Sequence, residues 1–160
     1  MLDFMTKDFY PNPFDELAVE LCNDARRTIR ILSPDLDHQV FDSEALCEKI
    51  SALARRSRYS DVRILVKDTR AIVQRGHRLL ELSQRISNLV HIQVLAEHPE
   101  MNDDTMVIRD MDGLLFKPGD SEHQGIFEPD SKARTRSYIE RFDNLWDRSA
   151  PDSQLRRLGL

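Results

Sequence analysis

The sequence predicts an α/β fold in which a mixed β-sheet carries helices on both faces. Helical and strand-like segments alternate through the first half of the chain, a pattern typical of parallel strands joined by helices. Two later strands flank the turn sequence Asp-Met-Asp-Gly, which favours an antiparallel hairpin in the same sheet. A length of 160 residues is ordinary for one domain and long enough to bury a core without disulfides.

Hydrophobic spacing and turn residues locate the first elements. Apolar residues recur at helical intervals over 14–27 and predict a first helix. Thr28–Leu32 predicts a short buried strand, which ends at Ser33-Pro34 before a polar loop. Asp42 or Ser43 then caps a second helix.

The middle of the chain repeats this order of helix and strand. Asp61–Lys67 is dense in β-branched residues and predicts the second strand. Asp68 or Thr69 caps a third helix, in which Gly76 marks either a break or the close approach of another segment. Asn88–Leu95 predicts the third strand.

The second half of the chain supplies the hairpin and the closing helix. The predicted hairpin strands are Thr105–Arg109 and Gly113–Lys117, Gly125–Phe127 adds a further strand, and the last helix covers about Ser131–Arg148. Three regions follow from these elements: an N-terminal arm (1–12), the α/β domain (13–148) and a flexible C-terminal tail (149–160).

Charge and composition limit the classes of function. The net charge of −5 argues against nucleic-acid binding driven by overall charge, although it leaves room for a local basic patch. No apolar run is long enough to span a membrane and the first residues lack the apolar core of a signal peptide, so we expect a cytoplasmic protein. Cys22 and Cys47 fall inside predicted helices without metal-ligand spacing. We therefore expect reduced thiols, no metal and no cofactor.

Two stretches carry a family resemblance: DDTMVIRDMDGLLF at 103–116 and GIFEPDSKARTRSYIERFDNLW at 125–146. Together with the order of elements, they resemble one half of a phospholipase D-type domain, in particular small bacterial members of uncharacterised role. In that superfamily a His-x-Lys-x4-Asp strand precedes a turn and a second strand. The resemblance puts Asp103 at the His position, Thr105 at the Lys position and Asp110 at the Asp position.

These substitutions remove the groups on which the family's chemistry depends. Family members cleave phosphodiesters through a phospho-histidine, and the lysine offsets charge on the phosphoryl oxygens. The carboxylate of Asp103 would repel a phosphate, and Thr105 brings no positive charge. A homodimer would only duplicate the defect. The resemblance therefore implies a degenerate motif and a non-catalytic module.

Ligands of open α/β sheets bind beyond the carboxyl ends of the strands, which indicates two groups of candidate residues. Ser33, Asp35 and His38 follow the first strand. His38 with the carboxylates of Asp35 and Asp37 suits acid–base work or metal binding, or else the loop is a capped turn. The second group follows the second strand and forms either an anion-binding surface or a solvated basic helix with a structural histidine. Its members are Lys67, Asp68, Arg70, Arg75, His77 and Arg78.

Basic and acidic residues also separate along the chain. Nine basic residues face three acidic ones between Arg55 and Arg85, whereas acidic residues dominate from Glu100 to Asp130. Such regions either associate with complementary surfaces or are simply solvated.

These observations favour a binding module for a protein partner, for a second copy of the chain in a homodimer, or for a phosphate-bearing ligand. Two alternatives stay open. One is a hydrolase or phosphodiesterase that uses non-standard residues around His77 or His38. The other is nucleic-acid binding through the basic helix 70–85.

Overall fold

The structure, a computed structural model, describes residues 11–120 and 124–157. The strands are β1 (Thr28–Ser33), β2 (Asp61–Val66), β3 (Val90–Val94), β4 (Thr105–Arg109), β5 (Gly113–Lys117) and β6 (Ile126–Glu128). The helices are α1 (Phe14–Asn23), α2 (His38–Phe41), α3 (Glu44–Arg56), α4 (Arg70–Arg75), α5 (Arg78–Arg85), α6 (Lys132–Asp147) and α7 (Ser153–Arg157). No described helix combines the length and the apolar content needed to cross a bilayer.

One six-stranded mixed sheet organises the domain, in the order β3-β2-β1-β4-β5-β6. β1, β2 and β3 run parallel, whereas β4, β5 and β6 alternate in direction. Thr28 pairs with Asp61, so β1 and β2 begin level with each other. We call this end of the sheet the amino edge and the end where β1, β2 and β3 finish the carboxyl edge. Because β4 is antiparallel to β1, the β4–β5 turn lies at the amino edge.

Helices cover both faces of this sheet, which confirms the predicted fold class. On one face α1, α3 and α5 pack on inward-pointing strand residues such as Ile29 and Ile64. On the other face, Phe142 and Leu145 of α6 pack against neighbours that include Leu32. Successive strand side chains point to opposite faces, so each strand contributes to both cores.

Capping residues explain where the helices begin. The Ser43 hydroxyl accepts the N–H of Leu46 at 3.2 Å and so starts α3. The predicted third helix is two helices, α4 and α5, which are separated at Gly76. Its φ of 74° lies in the left-handed region that glycine enters at little cost.

The first helix is shorter than its apolar periodicity predicts, because it ends at Asn23. The carboxylate of Asp110 accepts hydrogen bonds from the backbone N–H groups of Arg26, Arg27 and Thr28. These bonds hold the residues before β1 in a non-helical connection, which local periodicity does not reveal.

Two segments are more ordered than the sequence suggests. The predicted loop after β1 contains α2, whose first turn is capped by the side chain of Asp37. Part of the tail predicted to be flexible also packs on the domain: Ala150 exchanges backbone hydrogen bonds with Val94, and Leu155 is buried. The Thr69 hydroxyl also donates to Asp152, and the Gln84 amide donates to the carbonyl of Leu155, so tertiary contacts hold this short helix in place. The predicted N-terminal arm lies outside the described residues up to residue 10.

Candidate functional site

A cleft of about 700 Å³ opens at the carboxyl edge of the sheet, beyond the ends of β1 and β2 and beside the approach to β4. Four carboxylates and two cations line it, so its formal charge is negative. The lining residues are Pro34, Asp35, Lys67, Asp68, Arg70, Ala96, Glu97 and Asp103.

Lys67 and Asp103 face each other in this cleft. The Nζ atom of Lys67 lies 3.5 Å from Oδ1 of Asp103, and the aspartate side chain is 70% exposed. Thr105 follows as the first residue of β4 and is half-buried. An exposed ion pair of this kind contributes little to stability, but it does place the amine of Lys67 beside a carboxylate.

The neighbouring Asp104 holds the segment that carries Asp103. Its carboxylate accepts the backbone N–H of Gly119 at 2.8 Å and pairs with Arg141 at 3.0 Å. Gly119 approaches so closely that a Cβ atom there would lie 2.6 Å from the backbone carbon of Asp103. The loop after β5 therefore requires glycine at this point, where it packs against the backbone of Asp103.

Asp110 lies at the amino edge, at the opposite end of the strands from the cleft. Its two carboxylate oxygens accept three backbone N–H groups, from Arg26, Arg27 and Thr28, at 2.9 to 3.0 Å. Its φ of 51° is a left-handed conformation that aspartate tolerates better than most residues. Asp110 therefore joins the β4–β5 turn to the start of β1.

The three candidate residues after β1 have different surroundings. Ser33 is buried, and its hydroxyl accepts the N–H of Leu36 at 3.0 Å. Asp35 is exposed in the cleft. His38 donates from Nε2 to the carbonyl of Gly76 at 2.8 Å, and within the described residues no hydrogen bond or ion pair joins it to Asp35.

His77 is buried, with 3% of its surface exposed. The backbone N–H of Leu79 donates to Nδ1, while Nε2 donates to the carbonyl of Leu36, each at 3.1 Å. A carbonyl can only accept, so this pattern requires a neutral ring with its proton on Nε2. Burial lowers the pKa of His77 to about 4, which keeps the ring neutral. The imidazole caps α5, and both of its nitrogens are occupied.

The two histidines together join the loop after β1 to the link between α4 and α5. Their ring centroids are 4.8 Å apart, and each ring bonds to the segment that carries the other: His38 to Gly76, His77 to Leu36. The sequence treated them as separate candidates. The structure brings them together but joins neither one to Asp35 or Asp68 among the described residues.

Carboxylates pair two of the candidate arginines at α4 and α5. Nη2 of Arg70 lies 2.7 Å from Asp68, and hydrogen bonds from Arg70 hold the pKa of Asp68 below its usual value. Arg78 pairs with Asp42 at 3.3 Å. Arg75 is exposed at the end of α4. This stretch of the chain therefore combines paired and unpaired cations.

Metal-ligating groups are dispersed over the described residues. No three histidine, cysteine, aspartate or glutamate side chains within 11–120 and 124–157 come together as a metal-binding group. Cys22 and Cys47 are free thiols. Burial raises the pKa of Cys22 to about 12, which suppresses its thiolate form.

A second candidate surface lies at the amino edge, on the connections that lead into β1 and β2 and on the last residue of α3. We call it the Arg–Tyr surface; its members are Arg26, Arg27, Arg56, Arg58 and Tyr59, all of them exposed. None of these arginines forms an ion pair with a carboxylate in the described part of the chain. The guanidinium carbons of Arg58 and Arg27 lie 5.0 and 6.0 Å from the centroid of the Tyr59 ring.

Sequence reasoning missed the Arg–Tyr surface. It counted Arg55, Arg56 and Arg58 within a basic stretch that continues to α5, and left Arg26 and Arg27 out. The available clue was that both arginine-rich segments immediately precede a predicted strand. Parallel pairing of those strands, with Thr28 opposite Asp61, places the two segments side by side.

Known structures share this fold. Nuc, a phospholipase D family member from Salmonella typhimurium, aligns with a TM-score of 0.60 and 12% identity over 84% of this chain and 88% of Nuc. TrmBL2, an archaeal chromatin protein with a novel mode of DNA binding, aligns with a TM-score of 0.62 and 13% identity over 87% of this chain. The chain spans only 50% of TrmBL2. At these identities the likeness establishes the fold alone.

Comparison of sequences identifies a family but no curated relative. None of the curated proteins matches this sequence. The family model of a domain of unknown function, DUF7931, matches residues 10–158 and so includes every described helix and strand. The chain therefore belongs to the DUF7931 family.

Proposed function

We propose that this chain is a phospholipase D-fold module that works by binding and does not cleave phosphodiesters through a phospho-histidine. The observation that carries the proposal is the Asp103–Lys67 pair in the carboxyl-edge cleft. In our alignment with the phospholipase D motif, Asp103 takes the position of the nucleophilic histidine. A carboxylate there repels the phosphate that the reaction must bring into contact with it.

Two further features of the cleft support this proposal. Thr105, at the lysine position of the motif, supplies no positive charge to a phosphoryl oxygen. The cations that do line the cleft, Lys67 and Arg70, each lie beside a carboxylate. A phosphate entering the cleft would have to displace those carboxylates, so the site favours neither anion binding nor phosphoryl transfer.

A hydrolase that uses His77 or His38 receives less support. A general base needs a ring nitrogen within reach of the substrate. The two nitrogens of His77 are bonded to Leu79 and Leu36 inside the protein, and Nε2 of His38 is bonded to Gly76. Both histidines therefore serve the fold in our proposal.

Nucleic acid is the binding partner that the rest of the surface favours. The Arg–Tyr surface presents unpaired guanidinium groups, whereas the cleft presents paired ones. TrmBL2 is described as a DNA-binding protein, which supports the view that this fold is compatible with nucleic-acid binding. Self-association through oppositely charged surfaces is the competing mode, and light scattering at low salt distinguishes it by the molecular mass.

An assay of phosphodiester cleavage tests the catalytic half of the proposal. The chain is incubated with bis(p-nitrophenyl) phosphate, with and without Mg²⁺ or Mn²⁺, beside the variants Asp103→Ala and His77→Asn. We expect release of p-nitrophenol at the rate of the buffer blank for all three proteins. Turnover by the wild type that disappears in either variant would overturn the proposal, because it would assign chemistry to that residue.

A further inference from the structure

The arginines of the Arg–Tyr surface form no ion pair with a carboxylate within the described residues. Elsewhere in the described chain most arginines face a carboxylate, as Arg30 faces Asp143 at 2.9 Å. At the amino edge Arg56 donates to the carbonyl of Ala25 and Arg58 to the hydroxyl of Tyr59. Neutral acceptors leave the full charge of each guanidinium available to an external anion.

Tyr59 adds an exposed aromatic face to this charge. It is 62% exposed and is one of two large hydrophobic side chains that are exposed in the described chain; the other, Met111, lies at the same edge in the β4–β5 turn. Arg27 and Arg58 lie near the ring at cation–π distances. Because the Tyr59 ring lies in solvent near these guanidinium groups, it does not contribute to the hydrophobic core.

Backbone hydrogen bonds preorganise the surface. The Ser57 hydroxyl accepts the N–H of Tyr59 at 3.0 Å, and the Ser57 carbonyl accepts the N–H of Ser60 at 3.1 Å, so the turn that presents the ring is closed. The N–H of Asp61 donates to the carbonyl of Arg27 at 2.9 Å and joins this turn to the other arginine segment. A surface fixed before binding loses less conformational entropy when a ligand arrives.

Carboxylates are sparse within the two segments. Asp24 is the one acidic residue in 23–27 and 55–60. Asp61, which follows, pairs with Arg63 at 2.9 Å. Arg26 and Arg56 also line a cleft of about 740 Å³ that contains Asp24, Asp112 and Asp130, and Asp112 pairs with the buried Arg109 at 3.0 Å. The charge nearest Tyr59 is therefore positive even though the whole chain is acidic.

We propose that the Arg–Tyr surface binds single-stranded nucleic acid. Guanidinium groups bind phosphates in a bidentate manner, and an exposed aromatic ring stacks on an unpaired base. A duplex keeps its bases stacked, so it offers nothing to the ring, and an acidic peptide offers carboxylates but no base. The inference deepens the proposed function, because it assigns a surface and a ligand class to the binding module.

Fluorescence anisotropy of a labelled 20-nucleotide dT oligomer measures this binding. If about four guanidinium groups contact phosphates, the affinity should fall roughly 50-fold between 50 and 200 mM NaCl. Tyr59→Ala should weaken binding about tenfold and Tyr59→Phe hardly at all, since phenylalanine keeps the stacking face. Arg27→Glu with Arg58→Glu should weaken it by roughly tenfold or more.

A charge-matched control is available on another surface. Arg75→Glu with Arg85→Glu changes the net charge equally at two exposed arginines of α4 and α5. Its binding should stay close to wild type after the small loss expected from net charge. Circular dichroism confirms that each variant is folded.

Four outcomes would overturn the inference. They are absence of binding at 50 mM NaCl, equal weakening by the control pair, duplex binding as tight as single-strand binding, and equal binding of a polyglutamate peptide. None of them requires phosphodiesterase activity, so the inference can fail while the non-catalytic proposal stands. Conversely, turnover that depends on Asp103 would overturn that proposal without touching this surface.

Discussion

At the carboxyl edge of the sheet the cations Lys67 and Arg70 each pair with a carboxylate, whereas the four arginines of the Arg–Tyr surface form no ion pair within the described residues. The carboxyl edge is the place where open α/β sheets usually bind ligands. In this chain its charges neutralise one another inside the cleft. The amino edge keeps like charges close together, which destabilises the folded state unless a ligand compensates. The difference separates the fold's usual ligand edge from the surface that we propose for binding.

The largest expected difference in stability is between variants of Asp110 and Asp103, which we align with the last and first positions of the phospholipase D motif. Asp110→Ala removes the acceptor of three backbone N–H groups and should lower the free energy of unfolding by about 3 kcal/mol. Asp103→Ala removes one exposed ion pair and should change it by less than about 0.5 kcal/mol. Urea denaturation measures both values.

The variant Asp110→Asn is the matched control. Asparagine tolerates the positive φ of this position and keeps one acceptor oxygen, so it should recover part of the loss. Equal effects of Asp103→Ala and Asp110→Ala would contradict the assignment of Asp110 to structure and of Asp103 to the cleft.

Acid should lower the stability of the folded chain through His77. Its pKa is about 4 in the folded chain and near 6.5 when unfolded, so the unfolded state binds a proton first as the pH falls. The stabilisation is complete above pH 6.5 and is lost as the pH falls towards 4, by roughly 3 kcal/mol in total. Urea denaturation at several pH values measures this slope.

The variant His77→Asn separates this effect from the titration of carboxylates. Asparagine can still cap α5 but does not titrate, so its stability should depend less on pH between 6.5 and 4. A slope as steep as that of the wild type would show that His77 is not the group responsible.

The smallest expected effect concerns stability at the amino edge. Arg27→Glu with Arg58→Glu removes no carboxylate pair and relieves repulsion, so the free energy of unfolding should change by no more than about 0.5 kcal/mol. By contrast, Arg30→Glu breaks a partly buried pair with Asp143 and should cost about 2 kcal/mol. If the double variant unfolds as readily as Arg30→Glu, the arginines have structural partners and the contrast between the edges fails.

The sequence predicted the strands better than the ends of the helices. β4 and β5 have the predicted bounds, because β-branched and apolar residues end sharply at the turn. The end of α1 was placed too late, since Asp110, distant in the sequence, accepts the N–H groups that a longer helix would have used. The burial of Leu155 was missed because one leucine in a polar tail carries no periodic pattern.

The candidate residues divide in a similar way. Lys67, Asp68, Asp35 and Asp103 lie together in one cleft because they follow or precede neighbouring strands at the same edge. His38 and His77 lie together for a reason that no local pattern contains, namely crossed bonds between a loop after β1 and the link at Gly76.

By itself, the sequence determined the fold class, the order of the strands and the acidic charge of the chain, because hydrophobic periodicity, turn residues and composition are local properties. Only the tertiary structure decided which charges are paired. Arg70 finds its carboxylate two residues away, but Lys67 finds Asp103 only across the sheet, and Arg27 meets Tyr59 only because β1 and β2 pair in register. Electrostatic energy depends on distance in space rather than along the chain, so the clustering of charge at the Arg–Tyr surface depends on the register of the strands.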